Sequence, residues 1–159
     1  MRLMRVLVEG GTFRLTTSPE EVLFTRRLGA CVAVGMVDAE SGVAGLLQYV
    51  LPESRGLSAP EGFPGFFAEE ALPRFVEEFR RRGGDPLRVR LVVAGGGRFR
   101  ASPKWLDIGA KNAAAARFFL KRLGLFPTAE RVGDSKVRRM EVSLREGIKV
   151  YTAYEVESW

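Results

Sequence analysis

The fold is decided by CVAVGMV at residues 31–37 and VAGLLQYVL at residues 43–51, with DAESG between them. The two segments are almost wholly apolar and rich in valine and leucine, a pattern typical of strands that are buried on both faces. The short polar turn between them predicts an antiparallel hairpin. Other parts of the chain must therefore pack on both sides of this hairpin.

Outside the hairpin the pattern predicts short strands and two helices. Apolar residues at helical spacing predict helices over 66–82 and 109–123, and Pro73 indicates a kink or a late start in the first. A stretch rich in Pro and Gly at 52–65 predicts a long irregular loop. The other predicted strands are residues 3–9, 22–27, 87–94, 125–132, 137–144 and 148–156.

About eight strands and two helices predict a mixed α/β (α+β) fold. Because two helices are too few to cover both faces of two separate sheets, we expect two mixed sheets packed on each other. One helix would lie on each outer face, in the layer order α/β/β/α. The 159 residues contain no linker, repeat or low-complexity run, so we expect a single domain over residues 1–159.

Cysteine and histidine counts exclude several kinds of site. The chain has one cysteine, Cys31, and no histidine, so it can form neither an intrachain disulfide nor a zinc site of Cys and His ligands. Ser-His-Asp and Cys-His catalysis in their usual forms are excluded as well. We expect no metal and no other cofactor.

The net charge of +6 leaves two interpretations open: a surface for nucleic acid or an acidic partner, or simply an arginine-rich composition. Charges of both signs are mixed along the chain and no aromatic-basic interleaving is present, so we expect no nucleic-acid partner. No segment reaches the ~18 apolar residues that span a membrane, and we expect no membrane insertion. A lone thiol and the lack of a signal-peptide pattern predict a cytoplasmic protein.

Gly95-Gly96-Gly97 follows a predicted strand and could suggest a phosphate-binding loop. It matches neither the dinucleotide fingerprint nor the Walker pattern, and no helix begins directly after it. We therefore interpret it as a tight turn.

Cys31 is the residue whose surroundings suggest chemistry, although a lone cysteine is more often a core residue. Thr25-x-x-Leu-Gly-x-Cys31 precedes a strand, the next strand ends in Gln48-x-x-Leu-Pro52, and Ile108-Gly-Ala-Lys-Asn112 opens the second helix. This order resembles the CheD family, the chemoreceptor glutamine deamidases of bacterial chemotaxis. The resemblance covers roughly residues 20–150.

The resemblance implies an α/β/β/α arrangement and hydrolysis of receptor glutamine side chains to glutamate. It places Cys31 at the nucleophile and Thr25 at a threonine that orients the catalytic histidine, whereas the histidine itself is replaced by Gln48. Ala30 stands where the family has serine, and the turn at Gly133 lacks the usual second glycine. Methyl-accepting chemoreceptors and a CheC-type phosphatase are the implied partners.

The replacement at Gln48 leaves two hypotheses. The chain is either a deamidase acting through Cys31 with weak or lost activity, or an inactive scaffold that binds chemoreceptors or a chemotaxis phosphatase. Glutamine cannot exchange a proton near pH 7, and losing the base of such a pair costs ~10³–10⁶ in rate. Because only Arg26 or Arg27 is at hand to stabilise a thiolate, we expect the pKa of Cys31 to lie near the ordinary ~8.5.

Overall fold

The predicted hairpin forms the centre of one of two sheets in the computed structural model, which describes residues 2–98, 103 and 106–159. Ten strands, two α-helices and a short 3-10 helix (Pro86–Arg88) lie in this part of the chain. The helices are α1 (Ala68–Arg81) and α2 (Ile108–Arg122). The strands are β1 (Met4–Leu7), β2 (Thr12–Thr16), β3 (Glu21–Phe24), β4 (Val32–Asp38), β5 (Val43–Tyr49), β6 (Arg90–Gly95), β7 (Ala129–Val132), β8 (Arg138–Ser143), β9 (Gly147–Thr152) and β10 (Glu155–Ser158).

The strands form two five-stranded sheets. The central sheet has the order β2-β5-β4-β6-β7, and the outer sheet has the order β1-β3-β8-β9-β10. In the central sheet β4 and β5 are antiparallel, with Val32 opposite Tyr49, while β6 and β7 are parallel. In the outer sheet β1 and β3 are parallel and the other pairs are antiparallel. Both sheets are therefore mixed, as predicted, and the mixed α/β class is confirmed.

The central sheet is covered on both faces, and this determines the layers. Val32, Val34 and Met36 of β4 pack with both helices in one core cluster. The alternate residues Ala33 and Val37 pack against the outer sheet in a second cluster. Successive strand residues point to opposite faces, so β4 contributes to both clusters at once.

The placement of the helices differs from the expected α/β/β/α order. Both α1 and α2 pack on the central sheet and contact each other, which gives the layer order α/β/β. The cause lies in the strand sequences. In β8, Met140 and Val142 face the inter-sheet core while Arg139 and Glu141 point outward, so the outer sheet has only one apolar face. Its other face needs no helix.

Several element boundaries also differ from the prediction. Strand β2 was not predicted, and the predicted strand 148–156 is two strands, β9 and β10, which meet at a turn where Ala153 has a positive φ of 51°. Helix α1 begins at Ala68 and contains Pro73 within it. No helix in the described part of the chain is long and apolar enough to cross a membrane.

Gly35 in β4 sets the distance between the two sheets. A Cβ atom at Gly35 would lie 2.9 Å from both Met140 Sδ and Val142 Cγ2 of the outer sheet. Real Cβ atoms essentially never approach that closely, so any side chain at Gly35 must push the sheets apart or displace these side chains. The close approach of the two sheets therefore depends on this glycine.

We predict that Gly35→Ala lowers the free energy of unfolding by about 1–3 kcal/mol, the usual cost of overpacking a core. The matched control is Gly29→Ala, because a Cβ at Gly29 meets no atom within 4 Å. The control should change stability by less than about 1 kcal/mol. Urea unfolding curves of the three proteins measure both effects, and equal midpoints for the two variants would contradict the role assigned to Gly35.

Candidate active site

Cys31 lies directly before β4, at the end of the core between the two sheets. Its side chain is half-buried and packs against the inter-sheet cluster. A turn that begins at Leu28 leads into Cys31. The N–H of Leu28 donates to Arg138 C=O of the outer sheet at 2.7 Å, which fixes the start of this turn. The thiol is thus held at the edge of the core.

Gln48 lies beside Cys31 on the neighbouring strand. In the β4–β5 register Gln48 pairs with Ala33, and its side chain is 8% exposed. A Cβ atom at Gly10 would lie 3.2 Å from Gln48 Nε2 and 3.9 Å from Cys31 Sγ, so both side chains border the same small space. The predicted antiparallel hairpin places Gln48 on the strand next to Cys31, and the structure brings the two residues together.

Thr25, the third predicted site residue, makes its described hydrogen bonds elsewhere. Its N–H donates to Met140 C=O at 2.9 Å, and its hydroxyl oxygen accepts from Met140 N–H at 3.0 Å. Within residues 2–98, 103 and 106–159, no hydrogen bond joins Thr25 to Cys31 or Gln48. Thr25 therefore fastens the segment after β3 to β8.

The surroundings of the Cys31 thiol do not favour its ionisation. Burial raises the pKa of Cys31, while a hydrogen bond from the Gln48 amide and the N–H of Cys31 itself lower it, with a net rise. No arginine contributes, and the pKa of Cys31 lies above the ordinary value that the sequence led us to expect. Desolvation of the thiolate outweighs two neutral hydrogen-bond donors because neither carries a full charge.

A pocket of about 190 Å³ opens beside Gln48. It is lined by Leu7, Val8, Glu9, Gly10, Arg26 and Gln48. Glu9 is the carboxylate of this lining, but in the described part of the chain no ion pair or electrostatic interaction joins it to Cys31. The thiol therefore has a side-chain amide as its neighbour, and among the described residues no acid–base side chain is hydrogen-bonded to it, although Tyr49 interacts with it electrostatically.

The three-glycine segment holds the turn that carries Cys31. Gly96 N–H donates to Cys31 C=O and Gly97 N–H to Gly29 C=O, each at 2.9 Å. Gly95 has φ of +110°, and a Cβ there would collide with Cys31 C=O. The segment itself is not the tight turn that we expected, because Gly95 is the last residue of β6 and no turn is formed at Gly96 or Gly97. The lack of side chains lets the segment lie directly against the backbone of Cys31.

Asn112 in α2 is a site residue whose role the sequence did not show. It is fully buried, and its Nδ2 donates to Ala30 C=O at 2.9 Å and to Val50 C=O at 2.8 Å. One amide therefore joins the residue before Cys31 to the end of β5, two residues after Gln48. An asparagine between buried helical positions such as Gly109 and Ala116 is the signal that could have indicated this role.

Two other charged groups, Asp38 and Arg138, have structural roles. The Asp38 carboxylate accepts from the N–H groups of Ser41 and Asp85 and from Arg88. Although burial alone would raise the pKa of Asp38, these donors lower it to about 2. Arg138 donates to Gly133 C=O and pairs with Asp134. No cluster of three or more metal-ligating side chains lies in the part of the chain described.

Fold and site together define the class: a mixed α/β protein with a thiol at the open end of its inter-sheet core and a side-chain amide beside it. The family described as CheD chemotactic sensory transduction matches this chain over residues 50–152. The matched stretch begins after Cys31 and Gln48, so the match includes neither residue. It covers both helices, the three-glycine segment and strands β6 to β9.

Relatives extend the similarity over nearly the whole chain. The probable chemoreceptor glutamine deamidase CheD of Methanococcus maripaludis is 30% identical, covering 98% of this chain and 99% of its own. The chemoreceptor glutamine deamidase CheD of Thermotoga maritima is 32% identical over 91% of this chain and 88% of its own. A probable CheD of Solibacter usitatus is 30% identical, with 90% and 85% covered. The chain belongs to the CheD family.

The raised pKa predicts slow alkylation of Cys31 in the folded protein. The rate of iodoacetamide labelling should rise with pH, and its midpoint should lie at higher pH than that of an unstructured thiol, whose pKa is ~8.5. The reason is that burial disfavours the thiolate. Gln48→Leu should move the midpoint to still higher pH, since it removes a hydrogen-bond donor that lowers the pKa of Cys31. The denatured protein is the control, and its only thiol is Cys31. Rapid labelling of the folded protein at pH 6 would contradict the prediction.

We also predict that Asn112→Ala lowers the free energy of unfolding by about 1–3 kcal/mol, because two buried carbonyl groups lose their donor. Lys121→Ala, at an exposed position of the same helix, is the control and should shift stability by less than about 0.5 kcal/mol. The labelling rate of Cys31 in the folded state should change in the Asn112 variant alone. Equal unfolding midpoints and labelling rates for both variants would show that Asn112 does not hold the Cys31 turn.

Proposed function

We propose that this CheD-family protein receives glutamine side chains of chemoreceptors at Cys31 and hydrolyses them slowly. The observation that carries this proposal is that the half-buried thiol of Cys31 has the Gln48 amide as its hydrogen-bond partner. Among the described residues no acid–base side chain is hydrogen-bonded to the thiol. The names of the relatives support the substrate class, since they are described as chemoreceptor glutamine deamidases.

The reaction would pass through a thioester. The sulfur of Cys31 attacks the amide carbon of the substrate, the thiol proton goes to the departing nitrogen, and ammonia leaves. Water then attacks the thioester, which regenerates the thiol and leaves a carboxylate on the receptor. Both steps need a group that accepts and returns a proton, and such a group typically contributes ~10²–10⁴ in rate.

Gln48 can serve only part of this requirement. Its amide can donate a hydrogen bond to the sulfur or to the substrate, but it neither accepts the thiol proton nor protonates ammonia near pH 7. Because burial also keeps the thiol neutral, the attacking thiolate is scarce. Binding and positioning of substrate therefore persist in this proposal while the chemical step is slow.

The second candidate function is that of an inactive scaffold. On this proposal the cleft binds chemoreceptors, or a CheC-type phosphatase, and no amide is hydrolysed. The raised pKa of Cys31 is the observation that favours it. Under either proposal we place the protein in the cytoplasm as one domain over residues 1–159 without metal or cofactor, since a lone unpaired thiol suits a reducing compartment.

Replacement of the missing base tests the two functions. With a glutamine-bearing chemoreceptor fragment, we predict that Gln48→His raises the rate of ammonia release at least about tenfold, which is less than the usual ~10²–10⁴ of a proton-transfer group. The smaller gain is expected because Ala30 and the turn at Gly133 also differ from the family pattern.

Cys31→Ala, alone and combined with Gln48→His, is the control and should release no ammonia. Wild-type turnover equal to that of a histidine-bearing relative, abolished by Cys31→Ala, would show that another group acts as the base. If Gln48→His stays inactive while the fragment still binds, the scaffold function is supported instead.

A further inference from the structure

An arginine-rich groove lies on the exposed face of the outer sheet, close to the turn that carries Cys31. Its volume is about 580 Å³. We define the arginine groove by its lining residues, which are Arg5, Phe24, Thr25, Arg26, Arg27 and Arg139. Three strands that are distant in sequence meet here, because β3 lies between β1 and β8 in the outer sheet.

The charge of the arginine groove is only partly balanced. Glu141 forms ion pairs with both Arg5 and Arg139, at 3.1 Å and 2.6 Å. Arg26 and Arg27 are exposed and have no carboxylate partner among the described residues. One carboxylate faces four guanidinium groups, so the groove carries a net positive charge that a carboxylate-rich ligand would neutralise.

Two of the guanidinium groups are held in place by aromatic rings. The Arg5 guanidinium lies 4.4 Å from the ring centre of Phe24, and that of Arg139 lies 3.8 Å from the ring centre of Tyr151. Stacking limits the side-chain motion that binding would otherwise have to suppress. It also covers the ring faces, which are the surfaces on which nucleic-acid bases stack. The groove is therefore better suited to carboxylates than to a nucleic acid.

Arg26 connects the arginine groove to the candidate active site. It lines the groove and also the pocket beside Gln48, which Gly10 and Glu9 share. A polypeptide with a side chain in that pocket would pass over Arg26 and onto the groove. The two features thus form one continuous surface, with Glu9 and Gln48 at the end near the thiol and the other arginines at the opposite end.

We propose that the arginine groove docks an acidic segment of the same protein whose glutamine enters the Gln48 pocket. This inference rests on the proposed function for the identity of the target, and it adds a requirement that the target carry Asp or Glu residues near its glutamine. Because long-range attraction between exposed charges is screened by salt, docking should weaken as ionic strength rises.

Binding of three fluorescent helical peptides to the full-length protein tests the proposal. The first carries a glutamine flanked by glutamates, the second the same glutamine flanked by lysines, and the third the glutamates without the glutamine. The first and third should bind, and the second should not. Affinity of the first should fall severalfold between low salt and ~0.15 M, where the screening length is about 8 Å.

Arg26→Glu combined with Arg27→Glu should weaken binding of both glutamate peptides about tenfold or more. The matched control is Arg81→Glu combined with Arg82→Glu, an exposed arginine pair at the end of α1 on the opposite side of the molecule, which changes the net charge equally. The control should bind like the wild type at ~0.15 M salt, where distant charges are screened.

Equal losses in the two double variants would overturn the proposal, because they would show a response to net charge alone. Equal binding of the glutamate and lysine peptides would overturn it too. Tighter binding of a single-stranded oligonucleotide that displaces the glutamate peptide would assign the groove to nucleic acid instead. The third peptide contains no glutamine, so a failure of the wild-type protein to bind it counts against the docking proposal alone. A failure to release ammonia from the glutamine-bearing receptor fragment counts against the proposed function alone.

Discussion

The need to cover strands β4 and β5 on both faces is the constraint on which the rest of the structure depends. Their residues are apolar at nearly every position, and all seven of each strand are buried. One face is closed by α1 and α2 and the other by the outer sheet. The three-layer order follows from this, as does the close approach of the sheets at Gly35.

The candidate active site lies where this double cover ends. Cys31 lies just before the paired part of β4 and is only half-buried, whereas Gln48 is paired with Ala33 inside β5 and is buried. Backbone groups that the sheet leaves unpaired at this edge are bonded by Asn112 and by the three-glycine segment. The same edge effect that makes a pocket possible therefore requires a set of polar contacts to keep it in shape.

The central hairpin and both helices could be predicted from the sequence because their patterns are local. Antiparallel pairing across a five-residue turn also places Gln48 near the start of the first strand, so its approach to Cys31 could be predicted from register. The strand β2 could not, because five residues with alternating polarity at the edge of a sheet resemble a loop. The third predicted residue, Thr25, bonds to Met140, which is 115 positions away.

The placement of the helices and the arginine groove also depend on long-range order. The alternation of Arg139 and Glu141 with Met140 and Val142 shows that one face of β8 is polar, but only the strand order shows which sheet that face belongs to. Arg5 and Arg139 become neighbours of Arg26 through the same order. The composition shows an excess of arginine residues, but it does not indicate that four of these arginines line one groove.

The amide bonded to Ala30 and Val50 bears on how the protein ages. Asn112 is the only asparagine of the chain and Gln48 its only glutamine, and both are buried. Spontaneous loss of ammonia from these side chains is a common form of thermal damage, and proteins adapted to heat tend to contain few of them. Gln48 lies beside the single thiol and Asn112 bonds to the residue before it, so loss of either amide would alter the candidate active site. No other residue of the chain has an amide side chain that could lose ammonia.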